Sequence, residues 1–323
     1  MTNRVEPSHE QIESTAGRLR AVLPVTPLVS AFSLDRPGGG SHLLKLESMQ
    51  PTGSFKVRGA FSKLLDMQRG AGTVVTASSG NHGAAVAFAG DMLGLDVVVV
   101  VPENTPRAKG DNVARWDAKL IHRGTSYDES EDYARSLAEE DGMCYISAFC
   151  DREIIAGQGT VVLELLGQTD SIDTLIVPVG GGGLISGMAI AIKEASPSTR
   201  LVGVQPAASC PMYRSFKAGH MVEVEHLPTL SEGTAGGVPP ETLDIVMRFV
   251  DDMVTVTENQ IQDAMRHLLF EERLVAEGAG ALSTAALLAG EVPRAEAGET
   301  VVAVVSGRNV DSQVLARLGA EFS

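Results

Sequence analysis

The first candidate for chemistry is a lysine in an unusual setting. In "QPTGSFKVRGA", residues 50–60, Lys56 follows Pro51, Thr52, Gly53, Ser54 and the aromatic Phe55, with Arg58 and Gly59 close behind. A solvated surface lysine needs no such frame; a lysine held in a pocket beside an anion does. Sites for an anion occur elsewhere in the chain. "SSGNHG", residues 78–83, joins the helix-starting residues Ser78, Ser79 and Asn81 to Gly80, which allows close backbone approach. The N–H groups exposed by such a turn bind anions, and an ordinary helix cap is the alternative. "GGGGLISG", residues 180–187, sets four glycines between a Val-rich run and an amphipathic one. That arrangement costs chain entropy, and it yields a backbone able to wrap a phosphate at a helix N-terminus. "SGRNVD" (306–311) places Ser306 and Asn309 in a further turn, for which a purely structural role fits equally well. "EGAGA" (277–281) permits close backbone approach or simply packs, and "SEGTAGG" (231–237) reads as a loop facing a ligand.

These turns follow strand-like runs. "TVVTA" (73–77), "DVVVVV" (96–101), "AKLIH" (118–122), "TLIVPV" (174–179), "RLVGV" (200–204), "MVTVT" (253–257) and "TVVAVV" (300–305) are strand candidates. Several are unbroken apolar runs, which predicts parallel strands covered on both faces. Helical patterns lie over 57–68, 81–93, 105–116, 128–140, 153–166, 184–195, 258–270 and 310–319. The βαβα order predicts an α/β protein with two open, doubly wound, mainly parallel sheets. Residues 73–149 form a compact strand–helix set, expected to be a small domain inserted in a large one made of 1–72 and 150–323. In such sheets ligands bind at the carboxyl ends of strands, where the turns above lie.

Bulk properties exclude several classes. The chain has 323 residues, 44% of them hydrophobic, which is ample for a core. Its net charge of −15 argues against nucleic-acid binding, which rests on clustered Lys and Arg. Cys144, Cys150 and Cys210 have neither metal-ligand spacing nor a disulfide framework, and a reduced cytoplasmic setting fits them. The N-terminus is polar and reads as neither a signal nor a transit peptide. The longest apolar run, near "LDVVVVVP", is too short to span a bilayer, so no membrane partner is expected. Gly181, Gly183 and Gly187 loosely echo a dinucleotide fingerprint and raise a Rossmann oxidoreductase as a rival. The acid that motif requires after the next strand is replaced by Gln205 and Pro206.

Taken in order, the motifs resemble the threonine/serine dehydratase and serine racemase family of fold type II pyridoxal-phosphate enzymes, built like tryptophan synthase β. The resemblance runs from "TPL" (26–28) through "KLESMQPTGSFKVRGA" (45–60), "SSGNHG", "IIAGQGT" (154–160), "VGGGGL" (179–184) and "EGAGA" to "SGRNVD". It implies pyridoxal 5′-phosphate as cofactor and Lys56 as the lysine that carries it, with a pKa lowered by burial. By the same resemblance Phe55 packs against the cofactor and Asn81 bonds its ring hydroxyl. Gly180, Gly181, Gly182, Gly183 and Leu184 offer N–H groups to its phosphate, and Ser306 faces its pyridine nitrogen. Ser78, Ser79, Asn81 and His82 form the loop receiving the substrate carboxylate, with His82 more structural than catalytic. The implied reaction is α,β-elimination from a small β-hydroxy amino acid, by default L-threonine or L-serine. Lys56 removes the Cα proton, the hydroxyl leaves with a proton from the cofactor phosphate, and ammonia and a 2-oxo acid result. A neutral Ser306 suits prompt elimination over a long-lived carbanion.

Within the family two alternatives stay open. Ser79 occupies the position of the racemase branch's second acid/base, so racemase activity is possible. Dehydratases of 3-hydroxyaspartate or phenylserine differ in the side chains around 231–237. Gln205 and Pro211 stand where a racemase-like divalent site needs acids, so no metal is expected. Arg308 replaces the family's glycine; at positive φ it costs about 1 kcal/mol or more, and otherwise it brings a cation near the site. Nothing follows Ser323, which suggests a catabolic or specialised role over a feedback-controlled one. The family implies a homo-oligomer.

Overall fold

The computed structural model describes residues 5–67, 72–105 and 107–320. Ten strands lie among the described residues: β1 (Leu28–Ser30), β2 (Ser41–Leu46), β3 (Val74–Ala77), β4 (Val97–Val101), β5 (Ala118–His122), β6 (Cys144–Tyr145), β7 (Thr174–Pro178), β8 (Arg200–Pro206), β9 (Asp252–Val256) and β10 (Thr300–Val305). The helices are α1 (His9–Leu19), α2 (Lys56–Leu65), α3 (Asn81–Leu93), α4 (Arg107–Ala114), α5 (Tyr127–Glu140), α6 (Arg152–Leu165), α7 (Gly183–Ala195), α8 (Pro211–Ala218), α9 (Pro240–Phe249), α10 (Glu258–Phe270), α11 (Gly278–Ala289) and α12 (Ser312–Ala320). Two of the helical spans read from sequence, 57–68 and 105–116, include residues 68 and 106, which lie outside the described residues.

A six-stranded sheet runs β1-β2-β10-β7-β8-β9, and a four-stranded sheet runs β5-β4-β3-β6. Of the strand pairs among the described residues, only β1–β2 is antiparallel. The unbroken valine runs explain this. In β4, "VVVVV", every residue is buried, because helices cover both faces of the sheet. Along β10 the period of two sorts the side chains: Val302 and Val304 join the core under α6 and α7, while Val301, Ala303 and Val305 join the core under α10 and α11. A slip of one residue would exchange those sets, so burial fixes the register. The four-stranded sheet is sorted likewise. Val97, Val99 and Val101 pack with Phe61 of α2 and Phe88 of α3, and Val98 and Val100 pack with Ala134 of α5.

The seven strand-like runs correspond to β3, β4, β5, β7, β8, β9 and β10. β1, β2 and β6, and helices α1, α8, α9 and α11, lie outside the strand and helix spans read from sequence. No described helix is long and apolar enough to cross a membrane.

A buried ion network sets the position of α2. Arg58 Nε and Nη2 donate to Glu47 at 2.7 and 2.9 Å, and Nη1 donates to Glu164 at 2.7 Å and to Thr160 Oγ1 at 3.2 Å. Lys45 Nζ completes the cluster, donating to Glu164 at 2.7 Å, Gln168 at 2.8 Å and the Thr26 carbonyl at 2.9 Å. Arg58 therefore faces away from the cavity described below and ties α2 to α6 and to the segment after β2.

Candidate active site

The carboxyl ends of β3, β7 and β10 and the first residues of α2 open on one cavity of about 1670 Å³. All the residues singled out above for cofactor and substrate line it: Phe55, Lys56, Ser78, Ser79, Asn81, His82, Gly180 to Gly183, Leu184 and Ser306. Residues as far apart in the chain as Phe55 and Ser306 are thus brought together by the topology.

Lys56 is the first residue of α2. The turn before it is tight, with Gly53 at φ +78°. Phe55 N donates to the Ser306 carbonyl at 3.1 Å, so this turn is stitched to the end of β10. Lys56 Nζ donates to the Ala148 carbonyl at 2.7 Å. Burial pushes its pKa from the ordinary 10.5 down to about 8, with the Glu277 carboxylate pulling the other way. A neutral amine is therefore within reach near physiological pH.

The "SSGNHG" turn does not cap its helix with a side chain. Gly80 is the N-cap residue of α3, and no side-chain cap bond is made. Ser78 Oγ accepts from Gly80 N at 3.1 Å, and Ser78 and Ser79 are half-buried on the cavity wall. His82 is buried, with Nε2 donating to the Ile146 carbonyl at 3.3 Å. Burial, joined by the nearby Lys56, pulls its pKa down to about 3. His82 is therefore neutral at physiological pH, and its anchored ring suits the structural role read from sequence.

Each glycine of the 180–183 turn has a packing reason as well as a place on the cavity wall. A Cβ on Gly181 would stand 2.7 Å from the Phe149 ring, and one on Gly183 2.9 Å from the Phe149 carbonyl. Gly182 adopts φ +90°, and a Cβ there would meet Met212 at 2.7 Å. Thr242 Oγ1 donates to the Gly181 carbonyl at 2.8 Å. The turn is held from outside, and it lines the cavity together with the start of α7, which has no side-chain cap. Ser306 is buried, and its Oγ donates weakly to the Ala279 carbonyl at 3.4 Å.

Sequence reasoning missed four contributors. Ala148 supplies the carbonyl for Lys56, and Phe149 packs against the glycine turn. Glu277 accepts from Asn81 Nδ2 at 2.6 Å, and Asn309 Nδ2 donates to Asn81 Oδ1 at 2.6 Å. Glu277 and Asn309 lay within motifs already noted, but no pairing signal exists in the sequence across such separations. Cys150 lines the cavity too; burial, aided by Glu241, pushes its thiol up to about 11, so it is no thiolate nucleophile.

Two open questions are settled by geometry. Arg273 is the only non-glycine residue with positive φ among the described residues, so Arg308 carries no such strain. Arg308 is exposed and directs Nη1 to Met49 Sδ at 3.4 Å, so it adds no cation to the cavity. Gln205 Oε1 accepts from Tyr213 N at 2.8 Å, which orders the start of α8. The 231–237 segment holds a 3₁₀ turn at Glu232–Thr234 and lines the cavity.

Comparison with known proteins agrees with this geometry. Residues 20–307 match the family described as "Pyridoxal-phosphate dependent enzyme". The "L-threonine dehydratase catabolic TdcB" of Staphylococcus aureus is 40% identical over 306 residues, covering 93% of this chain and 88% of its own. Maize serine racemase superposes with a TM-score of 0.91 at 33% identity, covering 98% of each chain. Threonine deaminase isoform 2 from Solanum lycopersicum gives a TM-score of 0.89 at 31% identity, covering 98% of this chain and 90% of its own. The chain belongs to the pyridoxal-phosphate dependent enzyme family.

Proposed function

We propose that this protein is a pyridoxal-phosphate-dependent ammonia-lyase that converts a small β-hydroxy amino acid, L-threonine or L-serine, to a 2-oxo acid and ammonia. The observation that carries the reading is the juxtaposition in one cavity of a lysine with a lowered pKa and a glycine turn whose N–H groups open a helix.

The residues present fit the cofactor. A phosphate suits the N–H groups of Gly180 to Leu184, because α7 leaves its first donors without a side-chain cap. Lys56 is the amine for the cofactor's aldehyde, Phe55 flanks it, Asn81 serves the ring oxygen and Ser306 the pyridine nitrogen. When bound, the cofactor delocalises the charge left at the substrate Cα. Lys56 Nζ takes the Cα proton, for which a pKa near 8 is well matched. Ser78, Ser79 and Asn81, with the first turn of α3 above the anchored His82, receive the substrate carboxylate. Ser306 bears no charge, which favours elimination over carbanion accumulation. On the α5 wall of the cavity, Glu131 accepts from Arg135 at 2.6 Å and from Tyr145 at 2.8 Å, so the charge of Arg135 is already partnered.

A racemase is the second reading, favoured by Ser79 lining the same cavity as Lys56. In cellular terms the reading is a cytoplasmic homo-oligomer. The free cysteines fit a reducing compartment, and the exposed Phe32 and Met49 fit a subunit contact. Residues 73–149 form the small domain and 1–72 with 150–323 the large one, supported by the four-stranded sheet, whose strands fall within 74–145.

The test is ammonia and 2-oxo acid release by the cofactor-loaded protein. The panel is L- and D-serine, L- and allo-threonine, threo-3-hydroxyaspartate and phenylserine, with chiral analysis of the remainder. Release from L-threonine or L-serine is expected. Scrambled chirality without release would make the protein a racemase.

A further inference from the structure

The Asn81 carboxamide is gripped at both ends. Nδ2 donates to Glu277 Oε1 and Oδ1 accepts from Asn309 Nδ2, each at 2.6 Å. Asn309 is itself fixed, because the same Nδ2 donates to the Thr52 carbonyl at 2.8 Å. Gly53 makes room for it: a Cβ there would stand 2.5 Å from Asn309 Oδ1. Glu277 is the N-cap residue of α11, where a side chain ordinarily bonds its own helix, yet it makes no cap bond. Its carboxylate reaches across to α3 instead, through space left by Gly307, on which a Cβ would overlap Glu277 Oε1.

These contacts determine which way the amide points. An ionised carboxylate only accepts, so the Asn81 atom facing Glu277 is nitrogen. The Thr52 carbonyl also only accepts, so Asn309 presents Nδ2, and the Asn81 atom facing it is oxygen. With one Nδ2 hydrogen given to Glu277, Asn81 keeps a second Nδ2 hydrogen as its remaining donor.

We propose that Glu277 is a positioning residue: together with Asn309 it locks Asn81 as a hydrogen-bond donor toward the ring oxygen of the bound cofactor. This rests on the assignment of Asn81 to that oxygen made above. An amide free to flip would set its own oxygen against the cofactor's and lose the bond.

The test compares cofactor dissociation constants and visible spectra of the loaded wild type, Asn81→Ala, Glu277→Ala, Glu277→Gln and the double variant Asn81→Ala/Glu277→Ala. Thermal melting establishes that each is folded. Glu277→Ala should weaken cofactor binding about tenfold, the scale of one bond to a charged acceptor, and shift the spectrum as Asn81→Ala does. Glu277→Gln can still accept from Asn81 Nδ2 and should remain within about threefold of wild type. The double variant should bind no more weakly than Asn81→Ala alone. Equal losses in the Gln and Ala variants would assign the effect to charge and overturn the proposal. An additive loss in the double variant would overturn it too, since the effect would then bypass Asn81. An Asn81→Ala protein with unchanged affinity and spectrum would remove the assignment of Asn81, and this inference with it, while leaving turnover to judge the enzymatic reading separately. If Glu277→Ala does not fold, Asn309→Ala replaces it in the same cycle with the same expected non-additivity.

Discussion

Arg58 and Lys56 stand two residues apart on α2, and the fold treats them in opposite ways. Arg58 is buried with four side-chain bonds, and both carboxylates of its network are charged partners. Burial works against its charge, but Glu47 and Glu164 outweigh burial and hold it protonated beyond its usual range. Lys56 has a carbonyl for its amine, and burial there wins over the opposing pull of Glu277. The scaffold cation is compensated, and the cation proposed to give up its proton has one carbonyl and, among the described residues, no ion pair within hydrogen-bond reach. Proximity in sequence says nothing of this difference; it comes from which way each side chain leaves the helix, one toward α6 and one toward the cavity.

The comparison can be broken most severely at Lys56. Lys56→Ala should lower turnover by on the order of 10⁴-fold, since it removes both cofactor anchor and proton acceptor. It should leave the unfolding midpoint of the cofactor-free protein nearly unchanged, because little compensation is lost. Arg58→Ala should act the other way round. It leaves Glu47 buried without its partner and should cost about 3–5 kcal/mol in denaturant unfolding. Glu164→Gln keeps an acceptor for Lys45 and Arg58 and should cost less, about 1–3 kcal/mol.

A pH measurement sharpens the same contrast. A lysine with a lowered pKa is protonated below that value and neutral above it. The rate at which the cofactor-free protein captures pyridoxal phosphate should therefore rise with pH through about 8, far below the 10.5 of an ordinary lysine. A midpoint near 10.5 would show that burial does not act on Lys56 as described. A smaller effect is expected at Ser79: Ser79→Ala should leave ammonia release within about threefold, the scale of one modest hydrogen bond, unless the protein racemises.

Much of the fold was legible because it follows from patterning. Unbroken valine runs marked the buried parallel strands, and Gly, Ser and Asn marked the turns at their ends. β1 and β6 escaped notice because three and two residues carry no period. β2 escaped because Lys45 interrupts its apolar run, and that buried lysine is partnered by Glu164 and Gln168, over a hundred residues away, and by the Thr26 carbonyl. The site was legible in the same uneven way. Lys56, the glycine turn and the Asn81 turn declare themselves locally. The Ala148 carbonyl, the Phe149 ring against Gly181 and the Glu277–Asn81–Asn309 chain do not, because each partner is supplied by a distant segment. The glycines of 180–183 also answer to packing against Phe149 and Met212, a demand that the local sequence does not show.

The most direct test of the account asks which lysine holds the cofactor. The loaded protein would be reduced with borohydride, digested and mapped by mass spectrometry. The account predicts the cofactor's mass on the peptide carrying Lys56, and on no peptide carrying Lys45 or Lys63. Label on another lysine, or none in a protein that still releases ammonia, would contradict it.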